Sequence, residues 1–124
     1  MEAKNCAQRC AAYTLDKKAF NVRLLEVKEL SSLTDYLVLA SGRSDRQVQA
    51  IAEAVRLGMK NDHGLPPLAV EGVNEGRWVL LDFGDVMVHV FQEPVRTFYD
   101  LDGLWQEAPE LPLAEPVVDA TLST

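Results

Sequence analysis

Asp82-Phe83-Gly84 spells the triplet that holds a metal ion in protein kinases. The chain lacks the glycine-rich loop, strand lysine and catalytic-loop motif that must accompany it, so the triplet reads as a hairpin turn. Ser41-Gly42-Arg43-Ser44 lies between a predicted strand and a predicted helix, where outward N–H groups can hold an anion. Nucleotidyltransferases set a similar Gly-Ser turn ahead of paired carboxylates that hold Mg²⁺. Here the next strand is Leu68-Ala69-Val70-Glu71, with no Asp-x-Asp pair. The turn reads first as an ordinary capped helix, with vestigial phosphate binding as the alternative. His89 inside a strand reads as hydrogen-bonded structure, and His63 near a helix end as a partner of the helix dipole. Cys6 and Cys10 share one helix face but have no second pair at zinc spacing, so they read as small apolar residues. No catalytic residue, metal ligand or cofactor site is assigned.

The remaining chemistry is that of recognition. Trp78, Leu80 and Asp82 alternate onto one face of a predicted strand, with Val79, Leu81 and Phe83 on the other. Asp85 follows in the turn, and Phe98-Tyr99-Asp100-Leu101 and Leu104-Trp105 come soon after. Trp and Tyr bury much area while keeping a polar handle, which suits binding hot spots. Taken singly, Trp78, Phe98 and Trp105 read as core.

The elements that must position these residues are legible from periodicity. Residues 3–18 read as a helix, 20–28 as a strand, and the apolar run Tyr36–Ala40 as a strand covered on both faces. Ser44 stands three before Gln47 as a capping box, and Val48, Ile51, Ala52, Val55 and Met59 form one helical stripe. Gly64 and Pro66-Pro67 end that helix, predicted over 44–61. Strands are expected at Leu68–Glu71, Arg77–Phe83 and Val86–Phe91, the last closed by Pro94, and a short helix or turn over 95–105. The order predicts an α/β fold: one mixed sheet of about five strands with helices packed on it. Residues 1–105 read as a single domain. Residues 106–124 carry Glu107, Glu110, Glu115 and Asp119 with three prolines and no Lys or Arg, and read as an acidic extended tail.

The 124 residues are 48% apolar, enough for a core without staples, and no apolar run is long enough to cross a bilayer. The N-terminus has no apolar signal core, so a cytoplasmic protein is expected, without a membrane role. The net charge is −7 and is unevenly spread. Residues 1–62 hold ten basic and eight acidic residues; residues 63–124 hold only Arg77 and Arg96 against eleven acids. An acidic half is a poor surface for phosphate backbones and a good one for a basic protein, so little direct nucleic-acid binding is expected.

Four ordered stretches go beyond generic patterning. They are Thr34-Asp35-Tyr36-Leu37-Val38-Leu39-Ala40-Ser41-Gly42; Ser44-Asp45-Arg46-Gln47-Val48-Gln49-Ala50-Ile51-Ala52; Glu71-Gly72 with Trp78 through Phe91; and Arg96-Thr97-Phe98-Tyr99-Asp100-Leu101 with Leu104-Trp105. The set closely resembles the ribosomal silencing factor family, also called the Iojap family, over about residues 13–109. The resemblance implies a nucleotidyltransferase-like α/β fold without the catalytic carboxylates, and no enzymatic activity. It implies a translation repressor that acts when nutrients run short, with a link to large-subunit assembly. It implies docking on the large ribosomal subunit against the protein at its subunit-joining face, number fourteen in the ribosomal series, so that the small subunit is blocked. Ribosomal proteins are usually basic, and the acidic half suits such a partner. The residues expected to touch it are Trp78 and Leu80 as apolar anchors, Asp82, Asp85 and Asp100 as acceptors for Lys or Arg, and Tyr99 in both roles. An exposed apolar docking patch also favours a homodimer when the partner is absent. The alternative reading is a nucleotide-binding or nucleotidyltransferase-like protein.

Overall fold

A computed structural model describes residues 1–113. The elements run α1 (Ala3–Asp16), β1 (Phe20–Glu26), β2 (Tyr36–Gly42), α2 (Asp45–His63), β3 (Ala69–Glu71), β4 (Trp78–Asp82), β5 (Val86–Gln92), α3 (Glu93–Tyr99), α4 (Leu101–Leu104) and β6 (Glu110–Leu111). The strands form one sheet in the order β3-β4-β5-β2-β1-β6. The central pair, β2 and β5, is parallel; every other pair is antiparallel. The expected mixed sheet is present, with six strands rather than five. The sixth comes from the acidic segment: Glu110 and Leu111 pair with Leu25 and Leu24. Two residues give no periodicity, and the flanking Pro109 and Pro112 mask a strand signal. The later part of the predicted tail lies outside the described residues.

Local chemistry sets the helix ends. The Ser44 hydroxyl accepts from the Gln47 N–H at 3.1 Å, and the Gln47 side-chain carbonyl accepts from the Arg43 N–H at 2.6 Å. Gly64 closes α2 in the left-handed conformation, with its N–H on Lys60 and that of Leu65 on Met59. The segment predicted as a short helix or turn over 95–105 is two helices, α3 and α4. Pro94 sits in the first turn of α3, where a missing N–H costs nothing, and Asp100 at φ 48° breaks the run before α4.

Alternation along the strands sorts the core into two layers. Leu24, Val38, Ala40, Val79, Leu81, Val88 and Val90 face α1 and α2, which cover that side with Cys6, Cys10, Tyr13, Ile51, Val55 and Met59. Each buried Val, Leu, Ile or Met among them is worth about 1.5–3 kcal/mol. Both cysteines are free and buried; the hydrogen bond from Cys6 and then burial push the Cys10 thiol up, so it stays a neutral core group. Leu25, Leu37, Leu39 and Phe91 face the other side, which, among the described residues, only α3, α4 and the chain just after them cover. That second face is closed over β1 and β2 and half-open over β4 and β5.

Candidate protein-docking face

The half-open face is built around Trp78. Its position opposite Phe91 on β5 sets the ring centroids 5.7 Å apart, and Tyr99 from α3 comes within 5.2 Å. The indole N–H donates to Nδ1 of His89 at 3.0 Å. Burial lowers the His89 pKa to about 4, so the imidazole is neutral at pH 7 and its proton rests on Nε2. Phe98 stands edge-on to Tyr99 and is 81% exposed; Leu104 is 68% exposed. Phe98 is therefore surface rather than core, because the α3 face that carries it turns away from the sheet. Beside Trp78 lies a hollow of about 330 Å³ lined by Glu71, Gly72, Leu80 and His89. An adjoining one of about 280 Å³ adds Glu75, Arg77, Val95 and Tyr99. Gly72 is required where it is: at φ 85°, a Cβ there would lie 2.1 Å from the Trp78 carbonyl oxygen.

A buried ionic cluster fixes α3 under these aromatics. Arg96 is only 5% exposed. Its Nε and Nη2 donate to the two oxygens of Asp102 at 2.9 and 3.1 Å. Its Nη1 donates to the Asn21 carbonyl at 2.6 Å and the Ser41 hydroxyl at 2.9 Å, and its charge lies over the Phe91 ring. Ser41 in turn donates to Glu93 at 2.6 Å. Asn21 can aim its carbonyl inward because it sits at φ 51° in an irregularity of β1, a conformation Asn tolerates. Arg23 joins the cluster through Asp102 and Glu110, which ties α4 and β6 to β1. Burial raises the Asp102 pKa, but the two guanidinium partners outweigh it and hold the carboxyl below its usual value. Sequence reasoning missed this cluster. The available signal was Arg96 itself, a cation in a half of the chain that is otherwise almost all acid.

The predicted contact residues divide into three places. Trp78, Leu80 and Tyr99 meet on the half-open face. Asp82 shares that face but lies four residues along β4, about 13 Å away, and its Oδ1 accepts from the Gly84 N–H at 2.8 Å. Asp85 is exposed at the hairpin tip, where its carbonyl accepts from Asp35 and Tyr36. Asp100 lines the cleft of Arg23, Arg96 and Asp102 instead. The carboxylates that line the hollows beside Trp78 are Glu71 and Glu75, which the sequence reading left out although glycines bracket that loop. In the Ser41–Ser44 turn, the Ser41 and Ser44 hydroxyls are already paired within the protein. Among the described residues, no three His, Cys, Asp or Glu side chains converge as a metal site, and no helix is long and apolar enough to cross a membrane.

Apolar rings at the centre and carboxylates at the rim are the chemistry of docking to a surface that carries cations. The fold is an α/β sheet with one face packed and the other half-open. The family described as "Ribosomal silencing factor during starvation" matches residues 1–123. The ribosomal silencing factor RsfS of Bacillus subtilis is 39% identical over 109 residues, covering 88% of this chain and 92% of its own length. The chloroplastic protein Iojap of Arabidopsis thaliana is 35% identical over 86% of this chain and 44% of its own. A crystal structure of a Chromobacterium violaceum protein superposes with a TM-score of 0.83 at 34% identity, over 94% of this chain and 95% of that one. This chain belongs to the ribosomal silencing factor family.

Proposed function

We propose that this protein represses translation by docking on the large ribosomal subunit and blocking the small one. The observation that carries the reading is the half-open aromatic face around Trp78, rimmed by Glu71, Glu75 and Asp82. The partner is a basic ribosomal protein at the subunit-joining face, number fourteen in the series, and the protein works in the cytoplasm when nutrients are short. A standard interface takes about 800 Å² from each partner, a patch roughly 28 Å across. Such a footprint centred near Leu80 takes in both Trp78 and Asp82; Asp85 and Asp100 lie at its edges. Trp78, Leu80 and Tyr99 set residence time, and the carboxylates set on-rate and orientation. Without its partner the same face pairs with a second copy, which light scattering reads directly. The sheet and its helices, β6 included, supply the docking domain.

Sucrose-gradient sedimentation of purified subunits tests the reading. At fixed Mg²⁺, the protein should travel with large subunits and lower the joined-ribosome peak. Trp78→Ala and Asp82→Lys should each weaken both effects in a folded protein. Joined ribosomes that form as before, with the protein left at the top of the gradient, would falsify the reading.

A further inference from the structure

The acidic half does not describe the whole surface. The turn after α1 and the entry to α2 bring Lys17, Lys18, Arg43 and Arg46 to one end of the sheet. Gln47 holds the two segments together: its side-chain N–H₂ donates to the Lys17 and Lys18 carbonyls at 3.3 and 3.1 Å, while its carbonyl accepts from the Arg43 N–H. All four cations are exposed, and none makes an ion pair among the described residues. The Arg43 guanidinium lies 4.6 Å above the Phe20 ring, which holds it in place against a flat face and leaves its N–H edge for an oxyanion. Asp16 and Asp45 stand in the same segments, leaving them at +2 in a chain of −7. The Asp45 Oδ1 is taken by the Arg46 N–H.

The position of this end matters as much as its charge. Phe20 pairs with Ser41, Ser41 with Phe91, and Phe91 with Trp78, one row across four strands. Three strand spacings of about 4.8 Å put Phe20 roughly 14 Å from Trp78. A partner seated on Trp78 therefore brings its own neighbours against Arg43 and the lysines. We propose that this basic end contacts the phosphate backbone of ribosomal RNA beside the protein partner, without reading sequence. The inference rests on the docking reading above. It makes the contact two-part: acid and aromatic to protein, cation to RNA. The four cations lie outside the aromatic face, and the only ring among them, Phe20, is covered by Arg43, so the patch offers charge rather than an apolar anchor.

The test uses the full chain with Lys17→Glu, Arg43→Glu and Arg46→Glu combined, after a thermal melt shows that it folds. Binding to intact large subunits and to the isolated ribosomal protein is measured across KCl concentration. Each phosphate contact contributes about −0.9 to the log–log salt slope on duplex and about −0.7 on single strands. The variant's slope on subunits should therefore be shallower by roughly two to three. Between about 50 and 200 mM, wild-type binding should weaken by roughly twentyfold to fortyfold more than the variant's. Binding to the isolated protein should not fall. An unchanged subunit affinity and slope overturns the inference, as does an equal loss on the isolated protein, which would make the patch a protein contact. Subunits that do not bind the wild-type chain at all refute the docking reading, and this one with it.

Discussion

Replacing Arg96 by Met gives the sharpest test of how the aromatic face is held. The side chain is 5% exposed and makes four hydrogen bonds, two of them to Asp102. Removing one partner of a fully buried ion pair costs about 3–5 kcal/mol, mostly from the charge left behind. Here the Asp102 side chain is 37% exposed and keeps Arg23 at 3.2 Å, so it is not orphaned. Asn21 is exposed and its carbonyl can turn to water; Ser41 still donates to Glu93. The loss therefore falls at the low end, about 3 kcal/mol. Unfolding entropy for a chain of this length is about 0.26 kcal/mol per kelvin, so the melting temperature should drop by about 11 °C. Differential scanning calorimetry measures it. Arg96→Lys keeps the charge but loses the planar fork, and should recover less than half of the loss. Below the melt, the Met variant should also show freed Tyr99 and Trp78 by fluorescence, because α3 has lost its tie to Asn21 and Ser41. A drop under about 4 °C with unchanged fluorescence would mean that apolar packing of Val95 alone places α3, and that the cluster is incidental.

Three further outcomes follow from the same geometry. His89 is neutral in the folded state with a pKa near 4, against about 6.5 unfolded, so the unfolded chain binds the extra proton. Stability should hold above about pH 6.5, fall as pH drops toward 4, and change no further on this account below it; half-burial puts the loss at about 2 kcal/mol, and His89→Gln should flatten it in urea titrations. Gly72→Ala should cost at least about 2 kcal/mol and shift Trp78 emission, since the Cβ meets backbone rather than a movable side chain. An alanine variant that melts like wild type would show that the β3–β4 loop adapts freely. Phe98→Ser should leave the melt within about 2 °C, because the ring is exposed, yet lower capture of large subunits about tenfold; equal capture would place Phe98 outside the footprint.

The sequence was most legible where one physical signal stood alone. The α2 stripe from Val48 to Met59, capped by Ser44 and stopped by Gly64, is seen within two residues of its predicted ends, since burial, capping and glycine all agree there. The alternation of Val86, Val88 and Val90 placed that face of β5 on the core for the same reason. Long-range pairings left weaker traces. Glu110 and Leu111 become a strand because β1 offers an open edge, which two residues between prolines cannot announce. Asp82 and Glu71 are equally acidic in sequence, but only the register, which pairs Glu71 with Leu80, brings the latter beside the hollow at Trp78. Arg96 reads as a surface charge until Asn21, Ser41 and Asp102 arrive from three other elements to bury it.

The parallel pair at the centre of the sheet has a consequence for how the protein comes into being. Strand β2 ends at Gly42 and its partner β5 begins only at Val86. Everything between them must be synthesised before the sheet can close, and such distant pairings are the slow ones. The β4–β5 hairpin can form early and lie against α2, but the sheet stays in two parts until β2 and β5 pair. Trp78, His89 and Phe91 meet within that hairpin, whereas α3 can be clamped by Ser41 and Asn21 only once β2 and β5 are paired. The last part of the aromatic face to be placed is therefore Tyr99, on α3. A chain released short of β5 lacks both the central parallel pair and His89, so neither the sheet nor the face around Trp78 can be completed.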